Sequence, residues 1–279
     1  MRIRARSYAL CLSAGMALAL NGGFVYGQTN AAISGSYGFL IGQSFSNTDG
    51  EKALAFVGVM NLDGAGGATA TATIQNGAGP RHLAETDTLP LAGTYSTKPD
   101  GTGTLKLGAE GSLTLTFAMV ISDGGQYLQL LATGCSVGPD DCGGPYTSVS
   151  AGIARATNGG AASLNGSYGF QLNSSPVPST SVGVLKFDGA GNATISYTQV
   201  GTSNDFSLKA APSASATMSG TYTMNPDGTG SIALKSTSDP SAVQGLAFVA
   251  TDGGSGLLLI RTEANTPNSN TSFGSARLQ

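Results

Sequence analysis

One stretch occurs twice in this chain, at residues 93–107 and 220–234, and it constrains the fold more than any other feature. The first copy reads GTYSTKPDGTGTLKL and the second reads GTYTMNPDGTGSIAL. Pro99 and Pro226 suit the first corner of a type I turn, and Gly101 and Gly228 can adopt the positive φ that follows. Such a turn between alternating apolar and polar residues is typical of a β-hairpin. Each copy is therefore predicted to form two strands joined by a tight turn.

Four further phrases recur in the same order, so the chain is a tandem duplication. The period is far longer than that of solenoid repeats, and each copy is therefore predicted to be a domain. We expect the two domains at residues 28–157 and 158–279. The paired phrases are residues 35–39 and 166–170, 62–66 and 187–191, 117–125 and 246–254, and 152–155 and 274–277.

Residues 1–27 have the pattern of a signal peptide. Arg2, Arg4 and Arg6 precede an apolar run at residues 8–20, and small residues follow at the expected cleavage site before Gln28. The run is short for a bilayer span, which makes an uncleaved anchor the alternative. The sequence predicts export to the periplasm, the cell surface or the extracellular space, with no transmembrane span after removal of the signal.

The composition excludes several classes of protein. Only 10% of the residues are charged while 40% are hydrophobic, a balance that argues against intrinsic disorder. The net charge of −3 offers no basic surface for nucleic acid or for anionic membranes.

Each repeat divides into eight runs of alternating polarity, and no run outside the signal has a helical period. The prediction is an all-β protein of two tandem eight-stranded antiparallel up-and-down barrels, because closure removes the exposed edges of each sheet. Two β-sandwiches are the alternative. The first repeat has its runs at about 35–45, 53–62, 67–76, 91–98, 102–109, 112–122, 126–134 and 147–156. The second has them at about 166–174, 180–187, 192–200, 217–225, 229–237, 242–251, 255–263 and 271–278.

The alternation also assigns the faces of the strands. Asn61 and Lys186 mark the face that we expect to be solvated, and the opposite face is predicted to point inward. Eight inward aromatic residues are the candidate ligand-binding residues: Tyr37, Phe39, Phe56, Phe117, Tyr168, Phe170, Phe187 and Phe248.

The connections predict two unlike ends for each barrel. Tight Asp-Gly turns join strands 2–3, 4–5 and 6–7, and in an up-and-down barrel these lie at one end, here called the floor. The other connections are mostly longer and lie at the opposite end, the mouth. Because the linker at residues 157–163 starts and finishes at floors, the two floors are predicted to face each other or to lie side by side.

A Gly-x-aromatic opening strand together with an arginine on the closing strand resembles the calycin group of barrels, which includes lipocalins and avidins. The resemblance implies that the aromatic residue lies at the floor and that the arginine packs across it. It would place Arg155 over Tyr37 and Arg277 over Tyr168, in structural roles, and a guanidinium is attracted to an aromatic face. The whole repeat, with its DGxGN and GTYxxxxDGTG phrases, also resembles uncharacterised exported bacterial tandem-repeat proteins.

Cys135 and Cys142 flank a short loop and are predicted to form a disulfide, since two cysteines in an exported chain tend to pair. A metal site is the alternative, but the spacing does not match that of zinc ligands and His82 is the only histidine. Each Asp-Gly turn has a single carboxylate, whereas calcium needs several. No metal and no cofactor is predicted.

Catalysis is not predicted, although one cluster of titratable residues lies in the long loop between strands 3 and 4. It consists of Arg81, His82, Glu85 and Asp87, and a nucleophile would need such a base beside it. The expected function is an exported non-catalytic binding protein that uses barrel interiors or mouth loops to hold a small apolar ligand or a surface partner. A structural or adhesive surface protein is the first alternative, and an isomerase or hydrolase with a site near His82 is the second.

Overall fold

A computed structural model gives the structure of the chain. It describes residues 33–47, 50–76, 88–109, 113–137, 140–141, 147–158, 163–175, 179–201, 214–239, 243–262 and 271–279. The predicted signal peptide lies outside these residues. Within them, no helix has the length and apolar character needed to cross a membrane.

The first repeat forms a closed antiparallel barrel. Seven consecutive strands pair in sequence order, and the last long strand closes the ring by pairing with both β7 and β1. The two residues of β8 add a short pairing on β7, which the alternation did not predict. The strands are β1 Ser34–Asn47, β2 Gly50–Asp63, β3 Gly67–Asn76, β4 Thr88–Thr97, β5 Thr102–Gly108, β6 Leu113–Ser122, β7 Tyr127–Val137, β8 Asp140–Asp141 and β9 Thr147–Ala156.

The second repeat forms another closed barrel, with eight strands in sequence order. The predicted pair of tandem up-and-down barrels is therefore confirmed, and the β-sandwich alternative is wrong, because first and last strands pair directly. The strands are β10 Asn165–Ser175, β11 Ser179–Asp188, β12 Asn192–Gly201, β13 Ala214–Met224, β14 Thr229–Ser236, β15 Val243–Thr251, β16 Gly256–Arg261 and β17 Thr271–Leu278.

The repeated hairpin has the predicted turn in both copies. The Gly101 N–H donates to the Lys98 carbonyl over 3.1 Å, and the Gly228 N–H donates to the Asn225 carbonyl over 3.0 Å. Both glycines have positive φ, 79° at Gly101 and 87° at Gly228. This is the type I turn followed by a left-handed residue that suits a short hairpin.

Tyrosine hydroxyls close the floor of each barrel. Tyr168 donates to the Gly254 carbonyl over 2.7 Å, and Tyr222 donates to the carbonyl of Leu164, just before β10, over 2.8 Å. The first barrel repeats the pattern, because Tyr37 donates to Gly125 and Tyr95 donates to Ile33. Burial raises the pKa of Tyr37 and Tyr168, so these hydroxyls stay protonated and remain donors.

An apolar seam joins the two barrels along their outer walls. On β1 and β2, the prediction that one face of every strand is solvated is wrong in part. Asn61 is exposed as expected, but Val57 and Val59 on the same face of β2 are buried against the second barrel. The seam comprises Leu40, Ala55, Val57, Val59, Ala247, Val249, Leu258 and Ile260.

The barrels lie side by side with their mouths at the same end. Near the floors, Gly38 of β1 lies so close to Val249 and Thr251 that an added Cβ would approach their methyl carbons to within 3.0 Å. Towards the mouths, Gly42 lies against the ring of Phe273 in the same way. The Gly253 N–H at the second floor also donates to the Thr157 carbonyl over 2.9 Å. The prediction that the floors lie side by side is therefore confirmed.

Candidate ligand site in the second barrel

The mouth half of the second barrel contains a partly enclosed cavity of about 170 Å³. Four apolar side chains and a tyrosine ring form the base of the cavity, and the other wall residues form a polar rim. The base consists of Phe170, Leu172, Ile195, Tyr197 and Met218. The rim consists of Ser174, Ser179, Ser181, Gln199, Gln244, Arg261 and Ser272.

The β-sheet register brings these residues together from seven strands. The alternation that buries Phe170 and Leu172 on β10 continues inward at Ser174, whose hydroxyl lies 2.7 Å from the Ser272 hydroxyl across β17. Ser181 is the partner of Leu172 on β11, and Gln199 is the partner of Ser181 on β12. The interior of the barrel thus changes from apolar at the floor to polar at the mouth.

Gln244 is the unusual member of the rim. It lies on β15, two residues before the buried Leu246, and its Oε1 is shielded from solvent without a hydrogen-bond donor among the described residues. A buried acceptor that lacks a donor is destabilising by roughly 1–3 kcal/mol. The terminal torsion of glutamine is soft, so this amide can turn its oxygen into the cavity.

Arg261 supplies the charge in this wall. It is the last residue of β16 and the cross-strand partner of Leu246. Its side chain interacts within the protein and also lines the cavity. No carboxylate is among the described residues of the wall.

Several of the equivalent positions of the first barrel are apolar, although Gln43 pairs with Ser150 where the second barrel has the Ser174–Ser272 pair. Phe56 and Ile74 occupy, by register and by repeat, the places of Ser181 and Gln199. Where β15 and β16 have Leu246 opposite Arg261, the strands β6 and β7 have Phe117 opposite Ala132. Leu115 takes the place of Gln244 and is buried in the first core. The two copies therefore differ most in the chemistry of the mouth half.

Of the eight predicted ligand-binding aromatics, Phe170 belongs to the wall of this cavity. The others are buried in the two cores; Phe187, for example, packs edge-on between Tyr168 and Tyr222, with ring centroids 5.4 and 4.9 Å away. The first core buries Tyr37, Phe39, Phe56 and Phe117, and the second buries Tyr168, Phe170, Phe187 and Phe248.

Sequence reasoning missed the polar rim, although a signal was present. Extending the inward alternation of β11, β12 and β15 past the aromatic residues places Ser181, Gln199 and Gln244 inside the barrel. Comparison of the repeats then shows that the first copy has apolar residues at these positions. Because the predicted binding residues were all aromatic, the prediction pointed to the floor of the barrel and not to its mouth.

The two closing-strand arginines occupy a different place from the one implied by the calycin resemblance. Arg155 pairs in register with Gly38, whose face is the outer one, so Arg155 points away from the barrel that contains Tyr37. Its guanidinium carbon lies 4.7 Å from the centroid of the Tyr127 ring. Asp252 lies 3.5 Å from Arg155 and 2.8 Å from Arg277. The stacking on Tyr37 and Tyr168 was wrong, and both arginines instead meet one aspartate at the seam.

Several predicted features cannot be placed. Arg81, His82, Glu85 and Asp87 lie outside the described residues, as does Cys142, so the disulfide with Cys135 stays a prediction. In the described ranges no group of three or more His, Cys, Asp or Glu side chains could hold a metal ion. The turn aspartates there have a local role, since Asp63 and Asp188 accept backbone N–H groups of their own turns.

Comparisons with known proteins assign no family. No family model matches the chain, and no curated protein matches it. Among solved structures, a candidate AttH from Nitrosomonas europaea is similar at 10% identity and a TM-score of 0.31, covering 88% of this chain and 92% of that one. CghA with Sch210972 is similar at 9% identity and a TM-score of 0.24, covering 88% and 89% of the two chains. Likenesses this distant carry no argument about this protein.

Proposed function

We propose that this protein is an exported, non-catalytic small-molecule-binding protein and that its ligand occupies the mouth of the second barrel. The observation that supports the proposal is the partly enclosed cavity with an apolar base and a polar rim that includes Gln244 Oε1, which has no donor among the described residues. Binding sites for small molecules combine a mostly pre-formed concavity with a few polar groups, and barrel mouths are common locations.

The first barrel acts as the scaffold in this proposal. Its aromatic and aliphatic side chains fill the interior at the positions that correspond to Ser181, Gln199 and Gln244 of the second barrel. The two copies share the residues at the floor and differ in the mouth half. The mouth half is the part of the barrel that a ligand can reach. The expected ligand is therefore amphiphilic, and not purely apolar.

The test is a fragment screen by ligand-observed NMR on the full mature chain and on two filling variants. Ser181→Phe and Gln199→Ile install the residues that the first barrel has at these positions. We expect fragments to bind the natural protein and to lose at least tenfold in affinity in both variants. Native mass spectrometry of protein purified from its own host would add the mass of any bound compound.

The matched control is Val182→Phe, which adds a ring on the neighbouring residue, where the side chain is 51% exposed on the outer wall. This variant should bind as the natural protein does. Circular dichroism verifies that each variant is folded, and having two filling variants guards against the failure of one. Equal binding by all four proteins, or no binding by the natural one, would refute the proposal and favour a structural or adhesive role.

A further inference from the structure

The volume of the cavity suits one small ring, either as a whole ligand or as the inserted part of one. A cavity of about 150 Å³ in a protein core holds a benzene molecule. The cavity in the second barrel is about 170 Å³ and opens at one side. It therefore suits a six-membered ring with a few small substituents, or a larger molecule that inserts such a ring.

Apart from Arg261, whose side chain already interacts within the protein, the rim offers groups that both donate and accept hydrogen bonds. Serine hydroxyls and glutamine amides pair best with neutral groups that can also do both. The Ser174 and Ser272 hydroxyls already share a hydrogen bond of 2.7 Å, which leaves each able to make another. The absence of a carboxylate from the described wall disfavours a cationic ligand.

Gln244 determines which hydrogen-bonding group the ligand must present to it. Its Oε1 has no donor in the described part of the chain, and an N–H or O–H group of a ligand can supply one whereas a carboxylate or an ether cannot. The adjacent apolar base of the cavity, with Phe170, Leu172 and Met218, suits the ring that carries the donor. The apolar and polar parts of the ligand would thus face opposite parts of the wall.

We infer that the ligand of the second barrel is a neutral six-membered ring compound whose hydroxyl group donates a hydrogen bond to Gln244 Oε1. This inference rests on the proposed binding function and specifies its ligand class. The hydroxylated ring can be a phenol or a sugar, and the chemistry of recognition at Gln244 is the same for both.

The experiment measures the affinities of four probes by NMR titration: phenol, its methyl ether anisole, benzoate and D-glucose. Phenol and anisole share the ring and differ in the hydroxyl donor. We expect phenol or D-glucose to bind, and anisole to bind about tenfold more weakly than phenol if phenol is the occupant. Benzoate, the one anion of the set, should bind more weakly than the hydroxylated probe that binds. The comparison of phenol with D-glucose distinguishes the two sources of the ring.

Gln244→Leu tests the residue itself and has a precedent in Leu115 of the first barrel. We expect it to weaken the hydroxylated probe about tenfold and to leave anisole unchanged. Gln171→Leu, on the exposed outer face of β10, is the matched control and should change nothing.

The outcomes separate the two proposals. Binding of anisole or benzoate as tight as that of phenol, or a hydroxyl preference that survives Gln244→Leu, overturns the ligand class while the binding function stands. The same holds if neither phenol nor D-glucose binds but other fragments bind and are excluded by Ser181→Phe. If no fragment of any class binds, the binding function fails first.

Discussion

Single side chains decide how each barrel is closed at its floor. The four floor tyrosines span from the inward face of one strand to a backbone carbonyl far away in sequence, such as Tyr168 to Gly254. A buried carbonyl needs a donor, and these positions have one in both repeats. The aromatic ring fills space while its hydroxyl closes the backbone, which explains why the same residue recurs in the duplicated positions.

Tyr168→Phe should lower the free energy of unfolding by about 1–3 kcal/mol, because it leaves the buried Gly254 carbonyl without its donor while the ring remains. Urea denaturation monitored by circular dichroism measures the change. Thr194→Val on the exposed face of β12 is the control and should stay within about 0.5 kcal/mol of the natural protein. A Tyr168→Phe variant as stable as this control would contradict the role given to the hydroxyl.

Strand connections at the floor are set by short turns with their own chemistry. In the turn between β11 and β12, the Asp188 carboxylate accepts N–H groups of Ala190 and Asn192. The hydrogen bond from the Asn192 side chain, followed by these two backbone groups, lowers the pKa of Asp188. The turn that joins β2 and β3 repeats the arrangement with Asp63.

These turns make the stability of the protein depend on acid in a defined direction. Because the folded-state pKa of Asp188 is lowered, its contribution is complete above the unfolded pKa of about 3.9 and disappears as the pH falls through the folded value. Asp188→Asn removes this titration. We expect the urea midpoint of the variant to fall less than that of the natural protein between about pH 5 and pH 2.5. An unchanged pH dependence in the variant would show that Asp188 does not contribute.

At the scale of the whole molecule, the seam turns two barrels into one unit with both mouths at one end. The outer faces of β1 and β2 pack against those of β15 and β16 and are buried there. Beside them, Asp252 forms ion pairs with both Arg155 and Arg277. Partly exposed ion pairs of this kind contribute little energy, so the apolar contact is the main source of cohesion. Of the two ion pairs, only that of Arg155 with Asp252 connects one barrel to the other.

Gly38→Val should separate the barrels, because a side chain at this position would collide with Val249 and Thr251. The matched control is Gly169→Val, at the equivalent position of the second barrel, where the nearest atom belongs to the end of the Gln279 side chain. We expect the Gly38 variant alone to show two unfolding transitions, or a larger radius in X-ray scattering. The seam would lose its assigned importance if both variants behaved alike.

The alternation of apolar and polar residues and the turn-forming residues alone determined the two barrels, the strand order and the inward aromatic faces, because both signals are local in the chain. A residue's neighbours two positions away indicate its face, and Pro-Asp-Gly specifies a turn by its φ values. The candidate site was predicted only at Phe170. Its polar rim depends on six strands converging at one level, and the partners of Arg155, Val57 and Asp252 depend on which outer walls meet. Such contacts bring together residues distant in sequence, so only the tertiary structure decided them.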